Sequence, residues 1–137
     1  MRFKPEQFVP TKWDTQEDKA RFANTYREFV LRGFPRKYFA AWFYKRLSMT
    51  FGHIAHYDIH GFWDEFFTST AGKVEFLTTT INHPCFGDPG YTYSDVEKEI
   101  QKWLKEDDIL NRYRHELIAA TEDAERSELR RLKAKYE

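Results

Sequence analysis

Apolar side chains recur three and four residues apart along this chain, the spacing that lines one face of an α-helix. Phe22, Ala23, Tyr26, Phe29 and Val30 form the first stripe. Asp14 or Thr15 just ahead of it is of N-cap type, Glu17 and Asp18 suit the positive end of the helix dipole, and Gly33 supplies the usual stop. Pro35 suits the first turn of a second helix, where a missing N–H costs nothing. Its stripe runs through Phe39, Trp42, Phe43, Arg46 or Leu47, and Thr50, with Gly52 as the stop. Asp58 is placed to cap a third helix carrying Ile59, Phe62, Trp63, Phe66 and Phe67. Thr70 opens a fourth with Val74, Leu77 and Ile81, although the strand-favouring run VEFLTTTI leaves residues 73–81 open between helix and strand.

Residues 82–93, NHPCFGDPGYTY, read as a loop, with two prolines, two glycines and Asp-Pro-Gly turn chemistry. Ser94 and Glu97 have capping-box spacing ahead of a fifth helix faced by Val96, Ile100, Trp103 and Leu104. Asp107 or Asp108 starts a sixth, with Ile109, Leu110, Tyr113, Leu117 and Ile118 inward. Beyond Thr121 the apolar pattern thins among charges, and helix there rests on pairs such as Glu122 with Arg126. The expected architecture is all-α: one bundle of five or six helices with an aromatic core and a long charged C-terminal helix. Residues 1–12 are expected to form an extended arm, using Phe3, Phe8 and Trp13 to cross the domain; 13–120 form the helical domain and 121–137 a charged tail.

Composition sharpens this picture. The 137 residues include 13 Phe, 8 Tyr and 4 Trp, so rings carry the core. Net charge is zero but uneven: residues 1–50 hold 11 Lys or Arg against 5 Asp or Glu, and 51–93 hold Lys73 against five acids. That balance disfavours a whole-surface polyanion binder and leaves a local basic face in the first third. The longest apolar run, 38–44, is far short of the roughly 20 residues a membrane span needs. No secretory leader pattern is evident at the start. Cys85 stands alone, so no internal disulfide forms. The expected location is the cytoplasm, without membrane association.

Three chemistries are candidates. FGHIAHYDIHGFWDEFF places His53 and His56 one helical turn apart, with Asp58 and His60 close behind, and His83 and Cys85 from the later loop would complete a zinc shell. A second paired motif and the HExxH of zinc hydrolases are both missing. The favoured expectation is therefore structural: histidines at a helical corner with Asp58 as cap and no cofactor, zinc being the alternative. Acid–base chemistry through a His–Asp pair lacks a partnered nucleophile, since Ser48, Ser69 and Ser94 sit near predicted helix ends and Cys85 has no evident activating neighbour.

RKYFAAWFYKR, residues 36–46, interleaves cations with rings as single-stranded nucleic acid binding requires. Helical geometry turns Phe39, Trp42 and Phe43 inward and leaves Arg36, Lys37, Tyr44 and Lys45 outward. The leading expectation is a protein-interaction module, a regulator or inhibitor that binds another protein without catalysis of its own. Its expected contacts are Phe86, Tyr91 and Tyr93 on the loop and Arg126, Arg130 and Arg131 on the tail, which also offers a homodimer interface.

Overall fold

The computed structural model describes residues 3–136, the side chains of His53 and Ala55 excepted. All its regular elements are helical. Six α-helices follow one another: α1 Gln16–Leu31, α2 Ala41–Thr50, α3 Ile59–Phe66, α4 Thr70–Asn82, α5 Ser94–Glu106 and α6 Ile109–Tyr136. Short 3-10 turns precede α1, α2 and α3. No helix is long and apolar enough to cross a membrane.

Local chemistry sets the boundaries. Thr15 and Asp18 form a reciprocal capping box: the Asp18 amide donates to Thr15 Oγ1 at 3.1 Å, and the Thr15 amide to Asp18 Oδ2 at 2.9 Å. At the other end of α1, the Phe34 amide reaches Phe29 O at 2.7 Å and the Gly33 amide reaches Val30 O at 3.3 Å. This is a Schellman closure with Gly33 left-handed at φ 82°. Phe34 is also left-handed, at φ 62°, and the turn drives its buried ring against Phe29, Phe67 and Tyr113 at 5.0–5.3 Å. The Tyr113 hydroxyl donates to Val30 O, fastening α6 to the end of α1.

Helix α2 starts later than Pro35 predicts. Pro35 caps a 3-10 turn, Arg36–Tyr38, and Phe39 then leaves helical geometry at φ −86°, ψ 58°. The break sends the Phe39 ring into the centre of the bundle, where it meets Phe29, Phe43, Phe62, Trp63 and Phe67 within 6.5 Å. Residues 73–81 are helix, inside α4. Burial of Phe76 and Leu77 overrides the strand preference of the run, and the Thr78 and Thr79 hydroxyls satisfy themselves on carbonyls one turn back. Aromatic pairs of this kind contribute ~0.5–1.5 kcal/mol each beyond the area they bury.

The expected arm is present in part. Phe3 and Phe8 are buried, and Phe3 exchanges two backbone hydrogen bonds with the Asn24 amide at 3.0 and 2.9 Å. Trp13 does not cross the domain; it is 72% exposed. At the other terminus α6 buries only Ile109 and Tyr113, and every residue from 118 to 136 is exposed. The charged tail thus starts three residues before Thr121 and continues α6 without a break.

Gly72 marks where α4 closes on α3. A Cβ there would lie 2.7 Å from Phe66 O and 2.9 Å from Glu65 O, both backbone atoms that cannot step aside. Gly72→Ala is expected to lower unfolding free energy by ~1–3 kcal/mol. Gly52→Ala, whose new methyl meets nothing nearer than His83 Nε2 at 3.8 Å, should stay within ~0.5 kcal/mol of the parent. Urea midpoints of the two variants decide this.

Candidate partner-binding face

The residue that organises the candidate face is Lys19. The α1 stripe of Phe22, Ala23 and Tyr26 extends back one turn onto it, so its stem is buried and its side chain is 0% exposed. A buried ammonium needs an acceptor for each of its three protons. Pro89 O at 2.8 Å, Thr92 O at 2.9 Å and the Asp95 carboxylate at 2.9 Å supply them. Two of those acceptors belong to the loop 83–93 and the third to α5. Asp95 Oδ2 also accepts the Val9 amide at 2.9 Å, which ties the N-terminal arm to the same charge pair.

The loop is fixed internally as well. Asp88 O accepts the Tyr91 and Thr92 amides, both at 2.9 Å, and Asp88 Oδ1 accepts the Gly90 amide at 2.8 Å. Gly87, left-handed at φ 88°, passes so close to Thr92 that a Cβ would sit 2.7 Å from Cγ2. Gln101 donates to Thr80 O at 3.0 Å and His83 O at 2.6 Å.

The capping box expected from Ser94 and Glu97 does not form. Ser94 is the first residue of α5, and its hydroxyl donates to Gly87 O at 3.0 Å. Glu97 is buried and lies 2.7 Å from His83 Nδ1. Both side chains are taken by the loop, so neither is left to cap the helix. Burial raises the Glu97 carboxyl above its ordinary range, against the pull of His83. Burial, together with Glu97, raises the Cys85 thiol too, the opposite of what a thiolate nucleophile needs.

Two adjoining clefts open between this loop and α2. The first, of about 370 Å³, is flanked by Trp13 and Tyr91, with Met49, Lys45, Arg46 and Asp14 among its walls. The second, of about 300 Å³, has Phe86, His83 and Glu97 among its walls and shares Met49 and Tyr93 with the first. Trp13, Met49, Phe86 and Tyr91 are 57–72% exposed. Arg46 pairs with Asp14 at 3.1 Å beneath them. The Lys12 ammonium stands 6.0 Å from the Trp13 ring centre.

The expected contact residues fare unequally. Phe86 and Tyr91 are exposed on the loop as predicted, but Tyr93 is 3% exposed. Its ring packs edge-on against Phe22 at 5.8 Å beneath the Lys19 ammonium. Burial raises its hydroxyl to about 12, so it stays neutral. Trp13 and Met49 complete the surface instead. Arg126 and Arg131 sit on the exposed length of α6, engaged with Glu122, Asp123 and Glu128 of their own helix, and Arg130 is exposed beside them.

The outward cationic face of 36–46 is corrected in one respect. Tyr44 is half-buried, its ring against Phe39 at 5.5 Å and its hydroxyl donating to Tyr57 O, because the turn Gly52–His56 folds back over α2. Arg36 lies over the Trp63 ring at 4.9 Å and Lys37 beside Tyr38 at 5.3 Å, whereas Lys45 faces the first cleft. Trp42, half-buried, is covered by the Arg21 guanidinium at 4.1 Å.

In the histidine segment, Asp58 caps α3 through Oδ1 and the Gly61 amide at 2.6 Å, and His56 and His60 are exposed. The His53 side chain lies outside the described residues. Among the described residues no group of three His, Cys, Asp or Glu side chains converges as metal ligands. No family model, curated protein or solved structure matches the chain.

Lys19 carried a readable signal, a charge at i−3, i−4 and i−7 from three buried residues. Replacing it by Met keeps the stem, strands the Asp95 carboxylate and orphans two loop carbonyls. The expected loss is ~3–5 kcal/mol, measured by urea unfolding; a loss under ~1 kcal/mol would show that the clamp contributes little.

Proposed function

We propose that the protein is a non-catalytic interaction module whose partner is a polypeptide segment carrying acidic and large apolar side chains, held between the loop 83–93 and α2. What carries the reading is the meeting of Trp13, Met49, Phe86 and Tyr91, all well exposed, on two adjoining clefts. Monomeric proteins seldom leave large apolar side chains grouped on one face without a use, and Trp and Tyr dominate binding hot spots. The loop that carries two of them is fixed by Lys19 and Asp88, so little ordering entropy opposes binding.

The partner's charge follows from the walls. Lys45 and Arg46 line the first cleft and Lys12 stands beside its Trp13 wall; Arg46 and Asp14 offset each other, so the two lysines leave the cleft positive. An acidic segment with an apolar anchor matches this surface in both respects. Binding of this kind suits a regulator or inhibitor, which acts by covering a surface on its target.

Selection from a displayed random-peptide library tests the reading. Enriched peptides are expected to combine Asp or Glu with large apolar residues. Trp13→Ala and Tyr91→Ala should each weaken the selected peptides by ~30-fold, about 2 kcal/mol, with thermal stability nearly unchanged because both rings are exposed. Enrichment indifferent to both substitutions overturns the proposal. So does tighter, steeply salt-dependent binding of a single-stranded oligonucleotide to the same rings.

A further inference from the structure

We propose that the second cleft receives one large aromatic side chain of the partner, and that Gly52 sets the size of the side chain it admits. This rests on the reading of the face as a polypeptide-binding surface, and it assigns the partner's two kinds of side chain to different clefts.

Charge separates the clefts. Lys45 is a wall of the first, whereas among the described residues neither Lys nor Arg lines the second. The ionisable walls of the second, His83 and Glu97, face each other at 2.7 Å. An acidic side chain entering there would give up water without meeting a lysine or arginine, a cost that Lys45 offsets in the first cleft. The partner's acid therefore belongs beside Lys45, and the second cleft is left to an uncharged side chain.

The walls make that side chain aromatic. The second cleft holds about 300 Å³, room for one large side chain rather than for a folded element. Its apolar walls are the exposed Met49 and Phe86 and the buried Tyr93. Ring–ring and sulfur–ring contacts both favour an incoming ring over an aliphatic chain, and the unbranched Met49 side chain adapts to its shape.

Gly52 lines the same cleft. The backbone does not demand glycine here, since φ lies outside the left-handed range that Gly33 and Gly87 occupy. Packing does not demand it either. A Cβ would meet nothing nearer than His83 Nε2 at 3.8 Å, in contrast to the crowded position of Gly72. A side chain at 52 would instead stand beside His83, another wall of the cleft, so what the glycine preserves is room for the partner's ring.

Repeating the random-peptide selection on Gly52→Ala and Gly52→Val tests this, with thermal unfolding to establish that each variant folds. The parent is expected to enrich peptides that join Trp, Tyr or Phe to Asp or Glu. Gly52→Val should enrich acidic peptides whose apolar residue is smaller. A parent-selected peptide should bind Gly52→Val at least ~10-fold more weakly, about 1.4 kcal/mol. Gly52→Ala should fall between, and it carries the test if the Val variant does not fold. Replacing the peptide's aromatic by Val should weaken binding to the parent by ~10-fold or more and to Gly52→Val by less than ~3-fold. Suppose the Gly52 variants enrich the same rings and bind parent-selected peptides as tightly as the parent, while Trp13→Ala and Tyr91→Ala still weaken them. The assignment of the second cleft is then overturned and the reading of the face stands. A parent that enriches no peptide, or peptides indifferent to Trp13, Tyr91 and Gly52 alike, overturns both.

Discussion

One buried charge governs how the surface is assembled. The Lys19 side chain is fully buried, so the chain must bring its ammonium three acceptors, and those acceptors come from parts distant in sequence. Pro89 and Thr92 are carbonyls of a loop that has no regular structure, and Asp95 lies in the first turn of α5. Asp95 in turn holds the arm at Val9. Loop, arm, α1 and α5 therefore meet at one ion pair, and Trp13 and Tyr91 flank a common cleft because their segments are held at that point. Hydrophobic packing alone would not do this: it is non-directional, whereas a buried amine dictates where its partners lie.

The aromatic core supplies the platform. Phe39, at the break between the 3-10 turn and α2, joins rings from α1, α2 and α3, and Phe34 does the same between α1, α4 and α6. In both places the backbone departs from regular helix to deliver a ring. The departure at Phe39 delays α2, and the turn Gly52–His56 then folds over it. Together these leave Lys45, Arg46 and Met49 beside the loop and take Tyr44 out of solvent. The same geometry lays Arg21 of α1 on Trp42 and Arg36 on Trp63 of α3, so the basic aromatic stretch that resembles a nucleic-acid surface in one dimension is partly paired with neighbouring helices in three.

Which features were legible in the sequence follows from what periodicity reports. Thr15, Gly33 and Asp58 act locally, through hydrogen bonds or backbone freedom within a turn, and each does what its type and position foretold. Five of the helices were legible for the same reason, α2 with too early a start, whereas residues 73–81 of α4 stayed open between helix and strand because VEFLTTTI favours strand locally. Tyr93, Ser94 and Glu97 were not, because their partners Phe22, Gly87 and His83 lie outside the window in which a cap or an exposed loop is read. Trp13 failed in the opposite direction: a ring in an arm was expected to cross the core, but Phe3 and Phe8 already fill that role. Of the candidate face, Phe86 and Tyr91 were legible as rings in a loop rich in turn residues. Trp13 and Met49 join them only through tertiary contact.

The central claim is that the loop 83–93 is a rigid platform held by Lys19, and amide hydrogen exchange of the unmodified protein reads that most directly. The Gly90, Tyr91 and Thr92 amides, bonded to Asp88, should exchange slowly, with protection approaching that of the adjoining turn of α5. Exchange of those three amides at the rate of an unstructured peptide would contradict the account, because a loop that opens freely cannot hold Tyr91 and Phe86 ready for a partner.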